Sequence, residues 1–382
     1  MARNRVFYKG RRKRRNWALL PFAILLGLMG LMVVLFYSMQ KYAVISKQGV
    51  EMVLTGTSAA GGSLENRADE QRVFAPVDAN LIFDAPDYSR FVPTAGRDAK
   101  PVRAIYIEAA NVNTNYLMEM AARLSSGNAL MLEMKPRDGA LVWESQAELA
   151  VKYGLYYQSA LSMDMPAIIQ SLKDFGAEHD KNIYLVAQIS CCIDSLIPVR
   201  TTSYTLRTEG GWDYRDDKGT YLDPYSIDIR NYIVELCREL YAMGFDEVVL
   251  ADVLHPVPED NISGFLYTAE MSTTPSPVTA ACGFAVYVAE QLEDESGLLS
   301  IYLDSARSLV GVDEGTGQDG VLFSKIFDRL YYRTDRWTYT YNLQDMEPTI
   351  VIGTLTDRLV PVVINYLPES SSWVYIEKLA EN

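Results

Sequence analysis

Carboxylates are the groups in this 382-residue chain best placed to do chemistry. The stretch "DEVVLADVLHP", residues 246–256, is a β-forming apolar run that ends in an acid, Asp252, with His255 just beyond. Asp304 ends a second run, "LLSIYLD" (298–304), Glu133 falls inside a third, "ALMLEMK" (129–135), and Asp194 follows a fourth, "NIYLVAQI" (182–189). If these runs are parallel strands of one barrel, their C-terminal ends meet at a common rim. Two acids brought there to about 5–5.5 Å suit hydrolysis of a glycosidic bond with retention, and about 6.5–9.5 Å suits inversion. The assignment that follows is Asp252 as nucleophile or base, Asp304 as general acid and Glu133 assisting.

Other chemistries lack their residues. His179 and His255 are the two histidines, which excludes a histidine-rich metal centre, and no G-x-S-x-G elbow accompanies them. The four cysteines, Cys191, Cys192, Cys237 and Cys282, show no CxxC or Cys/His spacing for zinc, and Cys237 and Cys282 fall in helical patterns as small core residues. "RDDKG" around Asp216 and Asp217 departs from EF-hand spacing and reads as a solvated turn. No metal or cofactor is expected. Trp212, Tyr214 and Tyr225 lie in the long loop after the third run and are candidates to stack on sugar rings. Asp194, Asp223 and His255 are candidate polar contacts to the same ligand, although Asp223 also suits a cap on the helix beginning near Ser226.

The elements that must position these groups begin near Lys100. Apolar runs at 102–109, 129–135, 182–189, 247–253 and 298–304 alternate with helical patterns at 114–125, 165–179, 226–245 and 278–294. Near-continuous apolar strands separated by helices indicate a parallel sheet covered on both faces. The expected fold is α/β, a (β/α)8 TIM-like barrel, with a doubly wound open sheet as the alternative. Toward the C-terminus "RLYYRT", "PTIVIGTL", "LVPVVINY" and "SSWVYIEK" are strand-like with little helix between the last three, so closure is not legible there.

Ahead of the barrel the chain changes character twice. Residues 1–16 hold eight Lys or Arg and no acid, and Trp17–Met39 carries no charge at all. As a helix those residues would span about 34 Å, enough to cross a bilayer core. The positive-inside rule puts residues 1–16 in the cytoplasm, with 17–39 an uncleaved transmembrane anchor, 40–100 a flexible extracytoplasmic linker and 101–382 the barrel outside the cytoplasm. Without the basic tail, 27 Lys and Arg face 49 Asp and Glu, a net of −22 over residues 17–382. Such a field repels nucleic acid and anionic lipid, so neither is an expected partner of the barrel, while the basic tail suits the anionic inner leaflet of the membrane.

"VRAIYI", "LMLEMKPRDGALVWES", "GGWDYRDDKGTYLDPYS", "GFDEVVLADVLHP" and "GQDG" (317–320), in that order and spacing, resemble a glycoside hydrolase-like domain family assigned to the TIM-barrel glycosidases, over about residues 102–332. The resemblance implies a barrel descended from polysaccharide-cleaving enzymes. The match breaks at the rim: Ala251 stands where the family carries its aspartate, Asp252 takes the place of a tyrosine, and Leu254, Gln188 and Ile193 replace an arginine, a second arginine and a lysine. "RTDRW" replaces a Ser-His-Tyr region after strand six. A displacement of one residue turns a strand side chain to the other face, so Asp252 is expected toward the helices unless an irregularity re-aims it. Three readings result: a surface glycosidase, a non-catalytic descendant that binds glycan or an envelope partner through the same cleft, and a structural envelope protein.

Overall fold

The structure is a computed structural model that describes residues 100–124, 127–257, 264–267, 276–334, 358–368 and 370–377, with the backbone of 43–46 and 49–52. Chain contacts divide it into two units, Met1–Pro76 and Val77–Asn382. In the first, Ala43–Ser46 pairs antiparallel with Gly49–Met52 in a short hairpin. The apolar run 17–39 lies outside the described residues. Among the described residues no helix is long and apolar enough to cross a membrane.

The second unit contains a closed barrel of eight strands. In chain order they are β1 (Arg103–Ile107), β2 (Ala129–Lys135), β3 (Tyr184–Ser190), β4 (Glu247–Ala251), β5 (Leu298–Leu303), β6 (Leu330–Arg333), β7 (Leu359–Ile364) and β8 (Trp373–Ile376). Every neighbouring pair is parallel, and β8 closes on β1 through Trp373–Arg103, Val374–Ala104 and Tyr375–Ile105. The open-sheet alternative is thereby set aside. Four longer helices, α1 (Thr114–Arg123), α2 (Met165–Glu178), α3 (Ile227–Met243) and α4 (Pro277–Gln291), cover the outside, and α5 (Gly320–Ile326) precedes β6. Their starts follow capping chemistry: Asn113, Asp164, Ser226, Ser276 and Asp319 each accept backbone N–H groups of the first turn.

Strand side chains alternate between two environments. Leu130, Leu132, Leu185, Ala187, Ile189, Val248, Leu250 and Ile301 pack with the helices, while Ala104, Met131, Val186, Val249, Tyr331, Val362 and Val374 fill the lumen. The lumen is polar at both ends. At the N-terminal end Glu247 is fully buried and accepts from Ser300 Oγ at 2.6 Å, Tyr331 OH at 2.9 Å, Tyr184 OH at 3.0 Å and Arg329. Arg329, 1% exposed, also donates to the Lys100 carbonyl. Removing a charge from water costs several kcal/mol per ion unless partners replace the solvent, and here four donors do so. The opposite end holds the cavity.

Candidate active site

A cavity of about 660 Å³ opens at the C-terminal ends of the strands. Glu133, Asp252 and Asp304 all line it, together with Glu108, Asp138, Arg137 and Arg333. The convergence expected of the three acids is therefore present. Each arrives differently. On β5, Ser300, Tyr302 and Asp304 share the lumen-facing parity, so Asp304 points inward as the next alternate residue after the strand ends. On β2, the register against β3 shifts between Glu133 and Lys135, and both residues line the cavity.

Asp252 reaches the rim through an irregularity of the kind that the sequence left open. Glu247, Val249 and Ala251 occupy the inward parity of β4, and an unbroken strand would aim residue 252 outward. The strand instead ends at Ala251, and Asp252 has φ +54°, in the left-handed region. That conformation costs about 1–2 kcal/mol for most residues, with aspartate among the few that adopt it readily. It swings the carboxylate to the rim, where Oδ1 accepts from Arg137 Nη2 at 2.6 Å and Nε at 3.0 Å. Oδ2 lies 3.0 Å from Arg137 Nε and 2.8 Å from Ser190 Oγ. An irregularity at a residue of the site, paid for by an ion pair and a hydroxyl, is where strain is expected to be functional.

Asp304 is the most perturbed acid of the group. Burial first, then the nearby negative charge of Asp252, pushes its carboxyl up from 3.8 to about 7, against the opposing pull of Lys218, Arg137 and the Gln318 amide. A carboxylic acid that holds its proton near neutral pH is suited to protonate a leaving group. Glu133 is also raised, by burial, while the Ala109 N–H at 3.0 Å and Tyr106 favour its charged form. The pair of acids with unlike environments is the pattern that divides acid and base roles.

The other sequence candidates lie outside the cavity lining. Asp194 is fully buried, paired with Lys135 Nζ at 2.8 Å and capping Leu196 and Ile197 from Oδ1. Lys135 in turn donates to the Ser190 carbonyl at 2.9 Å, so the ion pair braces the serine that holds Asp252. Gly139 (φ +90°) lies against Asp194, where any Cβ would collide with the carboxylate. Asp223 is buried and accepts from the Tyr225 N–H, a turn-fixing role. Tyr214 and Tyr225 are buried, their hydroxyls donating to the Val257 carbonyl and to Thr279. They anchor the loop rather than line the cavity. Trp212 is 79% exposed on that loop. The four cysteines are buried free thiols.

His255 is buried against Phe265 and Tyr267, with Nε2 2.9 Å from the Tyr267 hydroxyl. Burial pulls its imidazole down from 6.5 to about 4. Its folded value lies below the unfolded one, so its neutral form supports the fold fully above pH 6.5, and that support is lost as pH falls through about 4. Thermal melts across this window should fall more steeply for the wild type than for His255→Gln, and parallel curves would remove the assignment.

Sequence reasoning missed two residues that matter here. Arg137, in "KPRDG" after β2, supplies a cation at the rim although Leu254 and Gln188 do not. The segment's place directly after a barrel strand was the available signal. Gln318, in "GQDG", is fully buried and donates to Asp304 Oδ2 at 3.2 Å. Asp138, which accepts from the Tyr157 hydroxyl, completes the acid side of the cavity.

Residues 104–332 match the family described as "Putative glycosyl hydrolase domain", and the chain belongs to that family. The PgaB (BpsB) glycoside hydrolase domain from Bordetella bronchiseptica is similar in structure over 72% of this chain and 93% of its own, at 13% identity and a TM-score of 0.50. A hypothetical protein from Ruminiclostridium thermocellum matches 52% of this chain and 96% of its own at 21% identity, with a TM-score of 0.42. Aspergillus fumigatus Ega3, in complex with galactosamine, matches 75% and 95% at 8% identity and a TM-score of 0.44. No curated protein sequence matches the chain. At these identities the likeness is one of fold.

Proposed function

We propose that the barrel is a glycoside hydrolase domain that cleaves cell-envelope polysaccharide while tethered outside the cytoplasm. The observation that carries the reading is Asp304, held protonated up to about pH 7 in the cavity that also contains the ion-paired Asp252. Asp304 delivers its proton to the glycosidic oxygen as the bond to the anomeric carbon breaks. Asp252 acts from the same rim as nucleophile or as base toward water, with Arg137 and Ser190 fixing its orientation. Glu133, with its own raised carboxyl, is close enough to Tyr106 and Ala109 to hold a sugar hydroxyl network. The tether is supported by the charge-free run Trp17–Met39 behind a basic segment, and glycan as ligand by family membership. Trp212, the exposed aromatic of the loop, suits stacking on a sugar outside the cavity.

A second reading, a non-catalytic glycan-binding barrel, is favoured by one feature: both oxygens of Asp252 are already engaged by Arg137 and Ser190. The full-length chain incubated with a panel of cell-wall and capsular glycans separates the two. New reducing ends support hydrolysis; saturable binding without them supports the second reading; neither outcome, across the panel, overturns both.

A further inference from the structure

Between β5 and α5 the chain makes a loop, with a short helix at Ala306–Val310, several of whose residues are held by specific contacts. Gly317 has φ +79°, and a Cβ there would strike the Pro277 carbonyl at the start of α4. Asp319 caps α5 through the Val321 and Leu322 N–H groups. The Asp313 N–H donates to the Gln318 carbonyl at 2.8 Å, closing the loop on itself. Gln318 is thus delivered, fully buried, to the space between the ends of β4 and β5.

Its amide contacts run to both strands that carry the acids. Oε1 accepts from the Asp304 N–H at 2.8 Å and from Ser308 Oγ at 3.1 Å, which fixes which end of the amide is oxygen. Nε2 lies 3.2 Å from the carbonyl of Val253, the residue after Asp252, 3.1 Å from the Tyr302 carbonyl and 3.2 Å from Asp304 Oδ2. We infer that Gln318 is the positioning residue of the acid pair, its amide locking the Asp304 carboxyl and the chain beside Asp252 into one frame. The inference rests on the reading of Asp304 as general acid. Gln318 acts on the reaction through Asp304 and touches no substrate itself. A methyl-capped side chain of similar length could fill the volume but could not span the two strand ends, so the chemistry of the amide is what the site uses.

The charged and titratable groups that act on Asp304 are Asp252, Arg137, Lys218 and Gln318's neighbour Tyr302, with Arg333 also at the cavity wall. Against this fixed background, loss of the amide removes one donor from the charged carboxylate. The test is an NMR titration of the full-length chain carrying isotope-labelled aspartate carboxyl carbons, with Asp304→Asn identifying the resonance. In Gln318→Met the Asp304 midpoint should move to higher pH by about half a unit or more, as expected for one hydrogen bond to a charged acceptor. Gln318→Glu, which keeps the side-chain length, should move it further in the same direction and serves if the Met variant does not fold. An unmoved midpoint in a folded variant overturns the inference. Where turnover is measurable, kcat should fall with KM unchanged. A wild-type Asp304 that does not titrate near neutral pH would sink the general-acid reading instead, a result the same spectra distinguish.

Discussion

On the proposed reading, replacing Asp304 by Asn should lower glycan cleavage by about 10²–10⁴-fold, the range for loss of a positioned general acid. The same substitution raises stability at alkaline pH. The folded-state carboxyl titrates at about 7 and the ordinary one at 3.8, so the proton is held more tightly in the folded chain. Asp304 therefore supports the fold fully below pH 3.8, and that support is lost as pH rises through about 7. An asparagine carries no such cost, and the variant should melt above the wild type at pH values beyond 7. Activity lost together with stability gained marks a residue kept for chemistry. Activity and melting temperature falling together would mark a structural one.

The largest stability effect is expected at the other end of the lumen. Arg329→Met strips Glu247 of its cation while leaving the carboxylate fully buried. Breaking a buried pair from one side typically costs about 3–5 kcal/mol, since the remaining charge is uncompensated. For a chain of this size the melting temperature should drop by roughly 4–6 °C. Adding Glu247→Gln to Arg329→Met should recover part of the loss, because Ser300 and Tyr331, which share one carboxylate oxygen, can still donate to the amide oxygen, and the Tyr184 hydroxyl can accept from the amide NH2. A double variant no more stable than Arg329→Met would show that packing of the arginine, not charge, is at stake. The site lies at the opposite rim, so glycan cleavage per folded molecule should be unchanged.

Much of the barrel was legible because its first five strands are apolar runs separated by helices with a clear face. α3 carries Ile229, Ile233, Leu236 and Leu240 on its buried side, as its periodicity required. The closing strands were harder: β6 and β8 have four residues each, and the helical pattern that separates earlier strands is missing between β7 and β8. Of the four strand-like segments there, "PTIVIGTL" lies outside the described residues, and the other three are β6, β7 and β8.

The site divides in the same way. Acids at strand ends could be counted from the sequence, and Glu133, Asp252 and Asp304 do meet. Asp252's direction could not, because a single left-handed residue reverses what strand parity dictates. Arg137 and Gln318 reach the rim from loops, whose paths no periodicity encodes. The loop aromatics illustrate the converse. Tyr214 and Tyr225 look like sugar platforms in a linear reading, yet their rings are buried in packing contacts with Phe265 and Tyr267.

The pH dependence of kcat/KM for glycan cleavage by the full-length chain tests the central claim most directly, since it reports essential acids and bases of the free enzyme. The account predicts a descending alkaline limb centred near pH 7, set by Asp304 and absent from any residual activity of Asp304→Asn. A profile that stays level well past that pH, or a limb that persists unchanged in Asp304→Asn, would contradict it.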